Sequence, residues 1–277
     1  MYNNILVTDS FVETAEQMME IASKLVDPNG TIHVLHVIQV PYHLPYSYAD
    51  EEKQKARQLL QGIIICPRDK PDVRMQYSIV AARSAVEVIV EKSRDWGSDV
   101  ILMGASLRSL RESVVLGDVF NHVIRHGCCE VISMSYIRGS KTRFRKILVP
   151  TSGYKHSERA AEVAKNLIER PGGKVTAMSV SEGEAGSEAV ERIGAFFKGL
   201  DIEFTSVVKK GPIAQTILHD AETGNYDLLM IGATERSKRL KFILGSVADE
   251  IVKNAPVRVI VVRTLEYCDF PPPKRSL

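Results

Sequence analysis

The chain is written twice. Ile5, Leu6 and Val7 return as Ile147, Leu148 and Val149, and Ala22 returns as Ala164, 142 positions on. From Val80 onward the spacing becomes 128. Asp99 then falls on Asp227, Gly104 on Gly232, Arg108 on Arg236 and Ser109 on Ser237. Leu116 and Gly117 fall on Leu244 and Gly245, Val119 on Val247, and Val131 and Ile132 on Val259 and Ile260. A period this long, with enough apolar residues in each half for a core, implies a duplicated domain and not a solenoid. The change of spacing gives the first copy 14 extra residues (142 less 128) around PYHLPYSYADEEKQKARQ, expected as an insertion of helix and loop. The 277 residues accommodate two domains, expected at 1–138 and 144–266, with YIRGSKTR as linker and 267–277 as a C-terminal tail.

Within each copy, short β-rich apolar runs alternate with longer stretches of helical period. Copy one gives NILV, TIHVLHV, VRMQYSIV, DVILMG and EVISM; copy two gives KILVP, KVTAMSV, EFTSVV, DLLMIG and RVIVV. Between them, ETAEQMMEIASKLV and SERAAEVAKNLIE repeat apolar residues at three and four positions. Strands alternating with helices predict an α/β fold: two tandem doubly wound domains, each a roughly five-stranded parallel sheet with helices on both faces. Ligands of such sheets bind beyond the carboxyl ends of the strands, where the strand order reverses. Functional residues are therefore expected in TDSF and PTSG after the first strands, and in GASLRS and GATERS after the fourth.

Bulk properties exclude more than they assign. The formal net charge is +2, with 44% hydrophobic and 25% charged residues, which gives no pull toward nucleic acid or membrane. No apolar run approaches the roughly 20 residues that span a bilayer, and MYNNILVTDS becomes polar too soon for a secretory leader, so a cytoplasmic location is expected. Cys66, Cys128, Cys129 and Cys268 form neither a disulfide framework nor a CxxC pattern, and are expected as reduced thiols.

The stretch MIGATERSKRLKFILGS, Met230 to Ser246, carries the clearest chemistry. Backbone N–H groups approach a phosphate closely where no Cβ intervenes, and a helix start adds unpaired donors and a favourable dipole. Gly245, Ser246 and Val247, at the start of SVADEIVKNA, have this character, and Ser246 can serve as both helix cap and phosphate ligand. The basic residues Arg236, Lys238, Arg239 and Lys241 read equally well as a solvated loop.

Other combinations carry less. His122 and His126, at helical spacing before Cys128 and Cys129, read as a helix-end pair and not as metal ligands. His33 and His36 are expected on one side of a strand, partly buried. Ser10, Ser152 and His156 lack the G-x-S-x-G elbow that would place a nucleophile, so no catalytic triad is expected.

In ILVPTSGYKHSERA, the HV pair closing the second strand, GPIAQTI, and MIGA followed by GSVADEIV, the chain resembles the universal stress protein family in its tandem two-domain form. The resemblance covers nearly the whole sequence. Nucleotide-binding members of that family show G-x2-G-x9-G-[ST] after the fourth strand. Copy two keeps Gly232, Gly245 and Ser246 at this spacing but has Glu235 at the middle glycine, and Ser152 where the family usually has Asp. Copy one departs further, with Leu107 at the middle glycine and Asp118 at the Ser/Thr position. In its opening turn, the ungapped register puts Ser10 at the family Asp, and a one-residue gap would put Asp9 there. A carboxylate at 118 would repel a phosphate at 4 Å by about 4 kcal/mol at an effective dielectric of about 20, so copy one is expected not to hold a nucleotide in the family manner.

The resemblance implies an adenine nucleotide, ATP, ADP or AMP, in copy two, with Mg²⁺ accompanying a triphosphate. Pro150, Thr151, Ser152 and Val180 would flank the nucleoside, Gly232, Gly245, Ser246 and Val247 would hold ribose and phosphates, and Ile231 and Glu235 would belong to the same site. It also implies a stress-response regulator with slow or absent turnover, an unidentified protein partner, fifth strands that pair the two copies across a two-fold as an internal pseudo-dimer, and a further association of two chains as a homodimer. Protein interaction without nucleotide is the alternative function, and slow ATP hydrolysis a weaker one. No nucleic-acid or membrane partner is expected.

Overall fold

The computed structural model describes residues 1–8, 12–63, 70–105, 118–135, 143–233 and 245–264. These fall into two compact units, one containing Met1–Ala105 and Gly117–Ile132, the other containing Ser133–Glu266. The expected linker and tail lie largely outside the described residues.

The first unit runs β1 (Tyr2–Thr8), α1 (Val12–Leu25), β2 (Val26–Gln39), α2 (Ala49–Ile63), β3 (Arg74–Ala82), α3 (Ala85–Asp95), β4 (Val100–Ala105), α4 (Asp118–His126) and β5 (Glu130–Ser135). Its strand order is β3-β2-β1-β4-β5. The second unit runs β6 (Lys146–Pro150), α5 (Lys155–Leu167), β7 (Gly173–Val180), α6 (Glu184–Ala195), β8 (Ile202–Lys209), α7 (Ile213–Thr223), β9 (Leu228–Ala233), α8 (Ser246–Asn254) and β10 (Arg258–Arg263). Its order, β8-β7-β6-β9-β10, is the same pattern. Strand pairs β1–β2, β1–β4 and β2–β3 are parallel, as are β6–β7, β6–β9, β7–β8 and β9–β10.

Burial explains the composition of each strand. The centre of β6 is Ile147, Leu148 and Val149, all fully buried, because a central parallel strand is covered on both faces. The outer strand β8 instead mixes exposed and half-buried positions. The crossovers β6-α5-β7 and β8-α7-β9 run in opposite directions along the sheet, so right-handed connections put α5 and α7 on opposite faces. Helix pairing agrees with this, since α5 packs beside α6 and α7 beside α8.

The insertion differs from its expected form. Helix α2 has a counterpart in α6, so copy one gained no helix. The added residues instead lengthen the connections around that helix: Val40–Tyr48, with a short 3-10 turn at Tyr46–Tyr48, stands where copy two has only Ser181–Gly183. Helical period in ADEEKQKARQ could not distinguish a new helix from the equivalent of an existing one.

The histidine pair on β2 also needs correction. Alternate strand residues share a face, so positions three apart, His33 and His36, point to opposite faces. His33 is buried and stacks on Trp96 at 4.7 Å between ring centroids, while His36 is half-buried.

Candidate functional site

In the second unit the strand order reverses around β6: the chain moves outward through β7 and β8, then returns to β9 on the other side. The crevice expected of such a sheet therefore opens beyond β6 and β9. Their register pairs Ile147 with Leu228 and Leu148 with Leu229. Continuing it sets Pro150 level with Ile231 and Thr151 level with Gly232. Val180 ends β7, and Gly245, Ser246 and Val247 begin α8. Thus the described candidate residues belong to the strand ends and helix start on which the sheet topology converges. Glu235 lies outside the described residues, as do Arg236, Lys238, Arg239 and Lys241.

The turn after β6 is fixed by its own hydroxyls. Thr151 is buried, and its N–H donates to the Met178 carbonyl at 2.8 Å. Ser157 Oγ donates to the Tyr154 carbonyl at 2.7 Å, and Thr151 Oγ1 lies 2.9 Å from Ser157 Oγ. A hydroxyl has one proton and a carbonyl can only accept, so Thr151 must be the donor to Ser157. Thr151 Oγ1 also accepts the Gly153 N–H at 3.1 Å. Its hydroxyl is committed to the turn.

Ser152 is exposed, with Oγ 3.5 Å from His156 Nε2, at the outer limit of a hydrogen bond. From α6, Arg192 reaches over the turn, donating to the Gly153 carbonyl at 2.8 Å and pairing with Glu158 at 3.2 Å. No local pattern points to Arg192, whose partners lie more than thirty positions earlier. Arg263, at the end of β10 beside Ala233, is almost fully buried and adds a positive charge at the carboxyl end of the sheet. It too escaped a motif-based reading.

The two framework glycines differ in what surrounds them. A Cβ on Gly232 would collide with the His156 carbonyl and come within 2.8 Å of the Ser157 nitrogen. Gly232 thus lets the start of α5 cross β9 at backbone distance, a packing role that accounts for it without any ligand. Gly245 has φ −48° and ψ 147°, which other residues adopt, and among the described residues a Cβ there would meet nothing within 4 Å.

Gly245 is also the N-cap of α8, with no side-chain cap, and Ser246 is the first helical residue. This corrects the expected capping role of Ser246. Gly245 already takes the extended backbone angles of a cap, which carries Ser246 one position into the helix. The first intrahelical bond runs from the Asp249 N–H to the Gly245 carbonyl at 3.0 Å. The N–H groups of Ser246, Val247 and Ala248 precede it and have no intrahelical acceptor.

Elsewhere, His126 Nδ1 lies 2.9 Å from the His122 carbonyl, so it is the protonated nitrogen, and the two rings stack at 6.2 Å. Among the described residues, no three His, Cys, Asp or Glu side chains form a group that could hold a metal ion. In copy one, Asp118 opens α4, while Asp9, Ser10 and Leu107 lie outside the described residues.

A repeated, doubly wound α/β unit whose strand order reverses between its first and fourth strands defines a class of folds that bind small ligands at that switch point. Comparison with known proteins narrows it. The universal stress protein family model matches residues 1–133 and 187–263, and the chain belongs to that family. A universal stress protein of Methanocaldococcus jannaschii is 28% identical over 149 residues, covering 47% of this chain and 88% of its own length. The crystal structure of a universal stress protein from Archaeoglobus fulgidus DSM 4304 superposes with a TM-score of 0.68 at 23% identity. It covers 94% of this chain and 97% of its own, showing a shared fold. A universal stress protein solved in complex with cAMP is 19% identical, covers 44% of this chain and 99% of its own, and has a TM-score of 0.34. Among the described residues, no helix is long and apolar enough to cross a membrane.

Proposed function

We propose that the second unit, within 144–266, binds an adenine nucleotide, ATP, ADP or AMP, and that the chain acts as a nucleotide-responsive stress regulator. The nucleoside lies beyond β6 and β7, flanked by Pro150, Thr151, Ser152 and Val180. The phosphates meet the open N–H groups of Ser246 and Val247, with Mg²⁺ accompanying a triphosphate. Thr151 contributes shape, since its hydroxyl is already used within the turn.

The observation that carries this reading is Gly245. It is a glycine that neither backbone angle nor crowding requires among the described residues, at a helix start beyond the carboxyl end of β9. Lacking a Cβ, it leaves room for an oxyanion to reach unpaired donors. The first unit, within 1–138, has Asp at the position of Ser246 and holds no nucleotide in this manner. Nucleotide occupancy tunes binding of a protein partner, the chain works in the cytoplasm as a homodimer, and turnover is slow or absent.

A second reading, a protein interaction module without nucleotide, draws on the exposed hydroxyl of Ser152 in place of the family carboxylate. Native mass spectrometry of gently purified protein separates them. Retention of one adenine nucleotide per chain is expected; bare chain with nucleotide supplied at millimolar concentration favours the second reading.

A further inference from the structure

Three of the five exposed tyrosines among the described residues stand on the insertion that distinguishes copy one. Tyr42, Tyr46 and Tyr48 are 83%, 51% and 54% exposed. They stand on Val40–Tyr48, a segment that the fold does not need, because copy two completes the same crossover with Ser181–Gly183. Exposed tyrosines grouped in this way mark a contact surface and not a core.

The group is also held in place. Arg83, just beyond the end of β3, donates through Nη1 to the Val40 carbonyl at 3.3 Å and to the Pro41 carbonyl. Its guanidinium lies 4.7 Å from the Tyr46 ring centroid and 5.8 Å from that of Tyr42. Backbone clamp and ring contacts therefore act together to fix the loop before any partner arrives, which lowers the ordering cost of binding. Position 83 of copy one corresponds to Gly211 of copy two at the spacing of 128, so the clamp and the tyrosines are missing together from the second copy.

The chemistry of the surface selects its occupant. Tyrosine-lined surfaces take polyproline segments, whose preformed extended helix loses little entropy on docking. Directly after the tyrosines, α2 opens with Asp50, Glu51 and Glu52, a first turn that attracts basic residues and repels phosphates. Lys53 and Lys55 pair with these carboxylates at 2.9 to 3.4 Å, but Asp50 and Glu51 remain 70% and 78% exposed. A nucleic acid would set its phosphates against three acids. A proline-rich segment followed by basic residues matches both halves of the surface.

The chain carries such a segment at its own end: Phe270, Pro271, Pro272, Pro273, Lys274 and Arg275, within residues 265–277, which follow the last described residue. We propose that the C-terminal proline-rich segment docks on the Tyr42, Tyr46 and Arg83 surface, prolines against the rings and Lys274 and Arg275 toward Asp50 and Glu51.

The test uses the full chain with Pro271→Gly, Pro272→Ser and Pro273→Gly, and a fluorescein-labelled DFPPPKRSL peptide followed by anisotropy. The altered chain is expected to bind the peptide in the range of about 10 to 100 μM, and the unaltered chain at least about fivefold more weakly, because its own segment competes. Tyr42→Ala with Tyr46→Ala in the altered chain should weaken binding at least about tenfold. These side chains are exposed, so unchanged Trp96 fluorescence will confirm folding; Arg83→Ala provides a second variant that leaves the rings present but unclamped. Competition that grows with protein concentration assigns the segment to a neighbouring copy, and constant competition to the same chain; both support the proposal. It is overturned by no anisotropy change at millimolar chain, by equal peptide binding to the unaltered chain, by equal binding after removal of both tyrosines, or by preferential binding of oligo-dT.

Discussion

Gly232 and Gly245 look alike in the sequence, as two ends of one spacing, yet their surroundings assign them different tasks. Gly232 faces the backbone of His156 and Ser157 across van der Waals distance, so Gly232→Ala must push α5 off β9. A loss of about 3 kcal/mol and a Tm lower by roughly 10 °C are expected from calorimetry. Among the described residues a Cβ at Gly245 meets nothing within 4 Å, and Gly245→Ala should cost less than about 1 kcal/mol of stability, the loss of a modest capping preference. If instead Gly245→Ala melts as early as Gly232→Ala, the glycine has a structural duty and the oxyanion reading loses its support. The spacing of the glycines was legible in the sequence, but this division of labour was not, because it depends on a helix start some 75 positions away from Gly232 crossing above it. Thr151 was legible only as a site position; its commitment to Ser157 and Gly153 required the turn to be built.

At the scale of elements, the duplication has a physical explanation in one pair of aspartates. Asp99 Oδ2 accepts the N–H groups of Asn3 and Asn4 at 2.7 and 2.9 Å, and Asp227 Oδ2 accepts those of Arg145 and Lys146, both at 2.8 Å. In each unit a carboxylate before the fourth strand fastens the beginning of the first. The main chain repeats the clasp, since the Asp99 N–H donates to Asn4 O and the Asp227 N–H to Lys146 O, each at 2.8 Å. Asp227→Ala should therefore destabilise the second unit by about 1 to 2 kcal/mol, a charge-assisted bond reduced by exposure. Hydrogen exchange at Arg145 and Lys146 should accelerate; unchanged protection there would contradict the clasp. Self-comparison of the sequence paired Asp99 with Asp227, but their partners lie more than eighty positions away, beyond any local pattern. For the same reason helical period in the inserted stretch suggests an added helix and loop where the structure has only longer connections: periodicity reports helical character, not correspondence between copies.

Across the molecule, the alternation of strands and helices and the doubly wound architecture were legible because each strand's apolar run and each helix's period are local signals repeated twice, whereas the strand order is not a local signal. Burial of polar groups was less so. His33 was expected to be only partly buried, yet it is sealed under Trp96 and burial holds its pKa below the ordinary histidine value. Above about pH 6.5 the ring is neutral in folded and unfolded chains alike. As pH falls below that value the unfolded chain takes up a proton first, so stability declines by up to about 1.4 kcal/mol per pH unit until the folded ring is protonated too. Trp96 is the single tryptophan and reports this unfolding directly. Comparison with His33→Phe should isolate the effect, the variant losing less stability between pH 6.5 and 5; parallel losses would mean that His33 is not responsible.

The central claim, an adenine nucleotide held by the second unit at the start of α8, is tested most directly by titration calorimetry of the full chain with ATP and AMP, beside Ser246→Asp, which writes the first copy's residue into the second. Binding at one site per chain, lost by at least about a hundredfold in Ser246→Asp through phosphate repulsion, is the predicted result. Absence of heat with millimolar nucleotide, or equal affinity in Ser246→Asp, would contradict it.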